Sequence, residues 1–263
     1  MSAGAEPRGA ATATVAVVGG TGTLGALVVR ELLARGATVR VLSRNATGVP
    51  AGAEHRRIDL TSGEGLAQAL TGVDTVVDAA NSTKAAEEVL VSGTRRLLEE
   101  EAAAGVTHHV AISIIGIDQV PISYYRAKLA QEEAILSAPV PFSLLRASQF
   151  PHLLDGAFAS AARFGIRPTG VAKVQPIDPT VVAARLADAA LAGPAGRLPD
   201  IAGPKAQTLS ELSRAWATAR GKHRLPLRVP AWGKMGKALA AGALCDPAAA
   251  TPGEDFEEWL RHE

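Results

Sequence analysis

The sequence predicts an α/β protein: a doubly wound parallel sheet with a small C-terminal substrate lobe. Three observations carry this. Short apolar runs alternate with amphipathic helical segments through the first ~150 residues. The first run passes straight into a glycine turn and then a helix. After Arg146 the alternation loosens into chain punctuated by Pro and Gly.

The elements follow in order. Strands are expected at Thr14–Val18, Thr38–Leu42, Glu54–Ile58, Thr75–Asp78, His109–Ser113 and Phe142–Arg146. Helices are expected between them at Leu24–Arg35, Glu64–Leu70, Lys84–Ala104 and Tyr124–Leu136. In Lys84–Ala104, Leu90, Leu97 and Leu98 mark a buried face. Glu87, Glu88, Arg95, Arg96 and Glu99 to Glu101 mark a wet one. Beyond Arg146, helices are expected at Thr180–Leu191, Leu209–Arg220, Lys234–Leu244 and Phe256–Leu260, with Thr208 or Ser210 as N-cap of the second. The expected division is a disordered tail at 1–12, a nucleotide-binding core at 13–150, and a substrate-binding lobe and lid at 151–263 within the same compact domain.

Composition narrows the function classes. Of 263 residues 47% are hydrophobic, enough for a sizeable core. The balance of 27 Lys plus Arg against 26 Asp plus Glu implies no basic face, so nucleic acid is not an expected partner. Apolar runs are short and broken by charge, so no membrane span is expected. The first dozen residues lack the apolar stretch of a signal peptide. Cys245 is the only cysteine and reads as a small apolar packing residue. A cytoplasmic location and a small-molecule substrate are expected, and a homodimer stays open.

The chemistry begins at Val15-Ala-Val-Val-Gly-Gly-Thr-Gly-Thr-Leu-Gly25. Gly19 permits a tight turn, Gly22 lets backbone approach a pyrophosphate, and Gly25 lets the helix pack against its strand. The helix N-terminus then offers free N–H groups to the anion. Thr21, Thr23 and Leu24 belong to the same turn.

The second strand ends at Ser43-Arg44, with no acid to take a ribose 2′-OH. A hydroxyl and a guanidinium suit a 2′-phosphate, which points to NADP(H). Asp59-Leu60 follows the third strand. Asp59 accepts from an adenine amino group or caps the next turn. Ala79, Ala80 and Asn81 end the fourth strand, where small residues let backbone line a ribose; Asn81 has a helix N-cap as its other reading.

Ser113 ends the fifth strand, and Tyr124-Tyr-Arg-Ala-Lys128 opens the next helix. Tyr124 and Lys128 share one helical face. A phenol is a weak acid, with a reference pKa of ~10. A neighbouring ammonium is expected to lower that value. Tyr124 as general acid, Lys128 as tuner and ribose anchor, and Ser113 as orienter form a hydride-transfer site. Tyr125 stands three residues from Lys128 and falls to the substrate wall, as does Ile114. His152 is a further candidate for substrate contact. His108 and His109 face opposite sides of a strand, so no metal site is expected. Trp216, Trp232 and Trp259 read as core or lid packing.

The sequence resembles the short-chain dehydrogenase/reductase superfamily, in its atypical, NmrA-like NAD(P)H-binding branch. The matching segments are Gly19–Gly25, Ser43-Arg44, Asp59-Leu60, Ile112-Ser-Ile-Ile-Gly-Ile117, Tyr124–Lys128 and Leu144-Leu-Arg-Ala-Ser-Gln-Phe150, with Pro176-Ile-Asp-Pro and Ile201-Ala-Gly-Pro further on. The resemblance implies a Rossmann fold, bound NADP(H) and a catalytic Ser113-Tyr124-Lys128 set. It implies a cofactor contact from Ile112, and contacts from Gln149 and Phe150 near the nicotinamide, with Phe150 shared with the substrate. One feature departs from the family: Glu88–Thr94 offers no Asn to hold a relay water, which leaves Ser92, Thr94 or solvent. The expected function is NADPH-dependent reduction of a carbonyl, enone or quinone. The alternatives are a non-catalytic NADP(H) sensor, or an epimerase, dehydratase or cyclase on the same fold.

Overall fold

The computed structural model describes residues 13–222 and 224–262; the expected tail at 1–12 lies outside them. The chain opens with β1 (Thr14–Val18), α1 (Thr23–Ala34), β2 (Thr38–Ser43), β3 (Glu54–Arg57), α2 (Leu66–Leu70) and β4 (Thr75–Asp78). A π-helical segment (Glu87–Gly93) then runs into α3 (Thr94–Ala104), followed by β5 (His108–Ile114), α4 (Ser123–Ser137) and β6 (Phe142–Ala147). The remainder is α5 (Pro151–Ala162), β7 (Ile166–Thr169), β8 (Lys173–Val174), α6 (Pro179–Ala192), β9 (Gly196–Arg197), β10 (Gln207–Thr208), α7 (Leu209–Ala219), β11 (Leu225–Arg228), α8 (Gly233–Ala241) and α9 (Phe256–His262).

Among the described residues, seven strands form one parallel sheet in the order β3-β2-β1-β4-β5-β6-β9. Strand order reverses between β1 and β4. That is where a crevice opens at the C-terminal strand ends of a doubly wound sheet.

Alternation along the strands builds a core on each face. Val15 and Val17 pack with Val41, Val77 and Val110 under α1 and α6. Ala16 and Val18 face the other way, with Leu42 and Val76, against Leu66, Leu70 and Leu97. The contact of α6 with α1 returns the chain to the sheet layer well after residue 150. A separate apolar cluster of Phe158, Leu212, Trp216, Phe256 and Leu260 holds α5, α7 and α9 together. Asp155 pins it by accepting from the Trp216 indole at 2.8 Å and from Arg220 at 3.1 Å.

Several expectations are corrected. The segment expected as a plain helix over Lys84–Ala104 starts as a π-helix, a wide turn found often beside functional sites. Gly93 lies in this wide turn, where a Cβ would meet the Leu60 side chain at 3.1 Å. Glu101 is not on the wet face. It is fully buried and accepts a 2.9 Å hydrogen bond from His109 Nδ1. Trp232 is not packed; it is 83% exposed at the start of α8. Thr208, rather than Ser210, caps α7 through a reciprocal capping box with Glu211. Ser210 instead bonds Gly170.

Two backbone crossings need glycine. A Cβ on Gly203 would collide with the Pro176 carbonyl, and one on Gly116 with the Ala243 carbonyl. The first lets the Ile201–Pro204 and Pro176–Pro179 segments cross. The second seats the loop after β5 against the end of α8.

Candidate active site at the C-terminal strand ends

A cleft of about 930 Å³ lies over the C-terminal ends of β1, β2, β4, β5 and β6. It is lined by Gly19, Thr21, Gly22, Thr23 and Leu24 from the first turn. Ser43 and Arg44 line it after β2, Asp59 and Leu60 after β3, and Ala79, Ala80 and Asn81 after β4. Ile112, Ser113, Ile114, Tyr124, Tyr125 and Lys128 form a second wall, and Gln149, Phe150 and His152 a third. Gly25 is the one expected cofactor residue outside the lining, and its place explains why: a Cβ there would collide with the Gly19 carbonyl, so it sets helix-to-turn packing from behind.

The first turn fits a pyrophosphate. Gly19 has φ +71° and lies so close to the Ala79-Ala80 backbone that a Cβ would meet it at 3.0 Å. Gly22 precedes α1 with no side chain capping the helix, and no acid stands in its first turn. The first N–H groups of α1 therefore face the cleft with their partial positive charge unopposed.

At the far end, Ser43 differs from expectation. Its hydroxyl donates to the Asn45 carbonyl at 2.7 Å and contacts His55 Nε2 at 3.1 Å. Its proton is already committed, which leaves Arg44 as the cleft's cation there. Asp59 adopts the turn arrangement, accepting from the Thr61 N–H at 2.8 Å and hydroxyl at 2.7 Å. Those hydrogen bonds hold its carboxyl below the ordinary range. Asn81 is not a helix cap. Ser82 accepts from the Ala85 N–H instead, while Asn81 Oδ1 accepts from the Tyr124 hydroxyl at 2.9 Å.

The second wall carries the titratable groups. Ser113 Oγ is buried and finds no hydrogen-bond partner among the described residues. The Tyr124 pKa is raised, because burial penalises the phenolate by more than the Asn81 hydrogen bond favours it. This corrects the expectation of a lowered value. The Lys128 ammonium turns to the Ile112 carbonyl at 2.7 Å and to Gln131 Oε1, not to the phenol. Burial lowers the Lys128 pKa to about 8, against the attraction of Asp78 and Glu132. Thr94 donates to Asp78 at 3.3 Å and is buried.

Sequence reading missed Gln131, which lies one turn beyond Lys128 on the same helix face. The i, i+3 spacing was the available signal. It also missed Ile122 and Leu153, which line the cleft. Among the described residues no group of three or more His, Cys, Asp or Glu could hold a metal ion. His109 is paired with Glu101 and His108 with Ser143 at 2.9 Å. No described helix is long and apolar enough to cross a membrane.

Comparison with known proteins agrees with this fold. The profile of the NAD(P)H-binding family matches residues 19–190. A photosystem II assembly factor of Trieres chinensis is 31% identical over 143 residues, covering 51% of this chain and 45% of that protein. The dTDP-6-deoxy-L-talose 4-dehydrogenase (NAD(P)(+)) of Kitasatospora kifunensis is 33% identical over 155 residues, covering 49% and 48%. The chain thus matches about half the length of these relatives. Among solved structures, an NADPH-dependent quinone oxidoreductase of Escherichia coli complexed with NADPH superposes with a TM-score of 0.78 at 20% identity, covering 94% of this chain and 99% of that one. A UDP-glucose 4-epimerase of Thermus thermophilus complexed with NAD gives 0.71 at 24% identity, covering 94% and 96%. These structures share the Rossmann-type fold. With the profile spanning most of the sheet and its first turn, the chain belongs to the NAD(P)H-binding family, in the NmrA-like, atypical short-chain dehydrogenase/reductase group.

Proposed function

We propose that the protein is an NADPH-dependent oxidoreductase that reduces a carbonyl, enone or quinone in a small, uncharged organic substrate. The observation that supports this reading is that Ser113, Tyr124 and Lys128 all line the cleft that the glycine turn opens.

The turn from Gly19 to Gly25 and the start of α1 would hold the pyrophosphate, and Arg44 the 2′-phosphate. Asp59 and Leu60 would border the adenine, Ala79 to Asn81 and Lys128 a ribose, and Gln149 with Phe150 the nicotinamide. When bound, NADPH supplies a hydride from its nicotinamide ring. Everything else falls to the chain. Ser113 Oγ, with no other partner, donates to the substrate oxygen and orients it. Tyr124 is a phenol, protonated at neutral pH, and burial raises its pKa further, which makes it a weaker acid than a free one. For reduction it turns from Asn81 Oδ1 and gives its Oη proton to the same oxygen. Asn81 holds that hydroxyl in place beforehand. Ile114, Ile122, Tyr125, Phe150 and Leu153 give the substrate an apolar wall, and the charged residues lining the cleft are Arg44, Asp59, Glu88 and Lys128. Arg44 and Asp59 stand on the proposed cofactor side. An apolar acceptor matches these walls better than a phosphorylated one.

Replacing Tyr124 with Phe tests the reading. Turnover of an uncharged carbonyl and quinone panel should fall by ~10²–10⁴, the usual worth of a positioned acid, with NADPH affinity changed only a few-fold. Unchanged turnover would reject the assignment.

A further inference from the structure

Lys128 is 4% exposed, and its ammonium is held from behind. Two of its three N–H donors go to the Ile112 carbonyl and Gln131 Oε1. Gln131 is itself fixed: its Nε2 donates to Asp78 Oδ2 at 3.1 Å and to Thr94 Oγ1 at 3.0 Å. Thr94 donates to the same Asp78 oxygen, and the other Asp78 oxygen accepts from the Ala80 N–H at 3.0 Å. Asp78, Thr94 and Gln131 are all buried.

This network permits one orientation of the amide. Flipping Gln131 would set its NH₂ against an ammonium and its carbonyl against a carboxylate, both repulsive. Asp78 on β4 thereby dictates, through Gln131, where the Lys128 ammonium sits and leaves its third N–H for the cleft. The Gln131 amide carries no titratable proton, so the network holds the ammonium and relays nothing. It also differs from the relays expected from sequence: Thr94 is spent inside it.

We propose that Gln131, oriented by Asp78 and Thr94, is the positioning residue that fixes the Lys128 ammonium and keeps it charged for binding NADPH. The inference rests on the reading of the cleft as an NADPH site with Lys128 at a ribose. The Ile112 carbonyl of β5 and Gln131 Oε1 of its own helix accept from the ammonium, and the charges acting on it are Asp78 from β4 and Glu132 from its own helix. Glu132 is already paired with Arg146 of β6, at 2.6 Å and 2.7 Å.

The test is NADPH affinity as a function of pH, by fluorescence titration of the full chain. In the wild type, affinity should fall as pH rises through about 8, where Lys128 loses its charge. Lys128→Met should abolish that midpoint. Gln131→Met, close in shape, should move the midpoint down by roughly one unit, the effect of one lost hydrogen bond to a charged group. Thr94→Val should move it the same way, and Thr94→Ser, which keeps the hydroxyl, should restore it. That pair decides the matter if Gln131→Met does not fold. A wild-type midpoint in Gln131→Met or Thr94→Val, or one that survives Lys128→Met, overturns the inference. Wild-type protein that binds no NADPH at any pH would overturn the cofactor reading itself.

Discussion

Ser113 separates what a residue does for the fold from what it does for chemistry. Its hydroxyl is buried at the end of β5 with no partner among the described residues, an arrangement that costs ~1–3 kcal/mol. Ser113→Ala should therefore leave the melting temperature unchanged or raised, while turnover falls by ~10-fold or more, the worth of a lost hydrogen bond to the reacting oxygen. Thermal melts alongside steady-state rates check both halves. A destabilised variant with normal turnover would assign Ser113 to structure alone. At the other end of the cleft, Arg44 is the cation left available once Ser43 has bonded Asn45. Arg44→Ala should weaken NADPH binding by ~10–100-fold, the worth of charge-assisted bonds, and NADH binding hardly at all. Equal losses in titrations with the two cofactors would contradict the 2′-phosphate assignment.

At the scale of elements, the glycine turn is the most constrained piece. Gly25→Ala would drive a methyl into the Gly19 carbonyl, and both ends of that contact are backbone. The turn must shift, so cofactor affinity should fall by at least ~10-fold, a 1.4 kcal/mol loss. A titration showing wild-type affinity would show that the turn tolerates the methyl. The same turn was legible in the sequence, as were β1, β2, β4, β5 and β6, because buried parallel strands read as apolar runs bounded by turn residues; β3, Glu-His-Arg-Arg at the sheet edge, was expected too but is mostly exposed and carries no such run. Helix α5 was not legible. Its Pro151 stands at the first helical position, which suits proline but gives no apolar period. Half of the segment is Gly, Ala and Ser, with Phe158 and Ala162 as its buried apolar side chains after Pro151. Strand β9 is two residues long and has no period to detect. Pro168 in β7 and Pro226 in β11 hid that parallel pair, which is a separate two-stranded sheet where proline is tolerated. In the site, the cleft-facing segments were legible because motif spacing reports local geometry. The Asn81–Tyr124 and Asp78–Gln131 bonds were not, because they join residues 43 and 53 positions apart.

At the scale of the molecule, two buried histidines make stability depend on pH in opposite senses. Burial lowers the His108 pKa to about 4. Its contribution is present above the unfolded value of ~6.5 and is lost as pH falls through about 4. For His109, burial opposes the charge, but Glu101 outweighs it and the pKa is raised. That contribution is present below the unfolded value and is lost as pH rises through the folded one. His108→Gln should flatten the decline of stability between pH ~6.5 and about 4, read from urea melts across that range. An unchanged acid limb would place the sensitivity elsewhere.

The same scale joins the two halves of the cleft. In the proposed function the sheet ends supply the cofactor walls, and Phe150, His152 and Leu153, at the start of α5, supply part of the substrate wall. Hydride transfer to an uncharged acceptor between them is the central claim. It is tested most directly with NADPH deuterated on the transferring face of its nicotinamide C4, incubated with the protein and a carbonyl and quinone panel, with products read by mass spectrometry. The account predicts one deuterium in a reduced product with the wild type, and a ~10²-fold or greater loss with Tyr124→Phe. Tight NADPH binding with no deuterium in any product would contradict it and point to a sensor. Deuterium entering an isomerised product with no net oxidation of NADPH would contradict it in favour of redox-neutral chemistry.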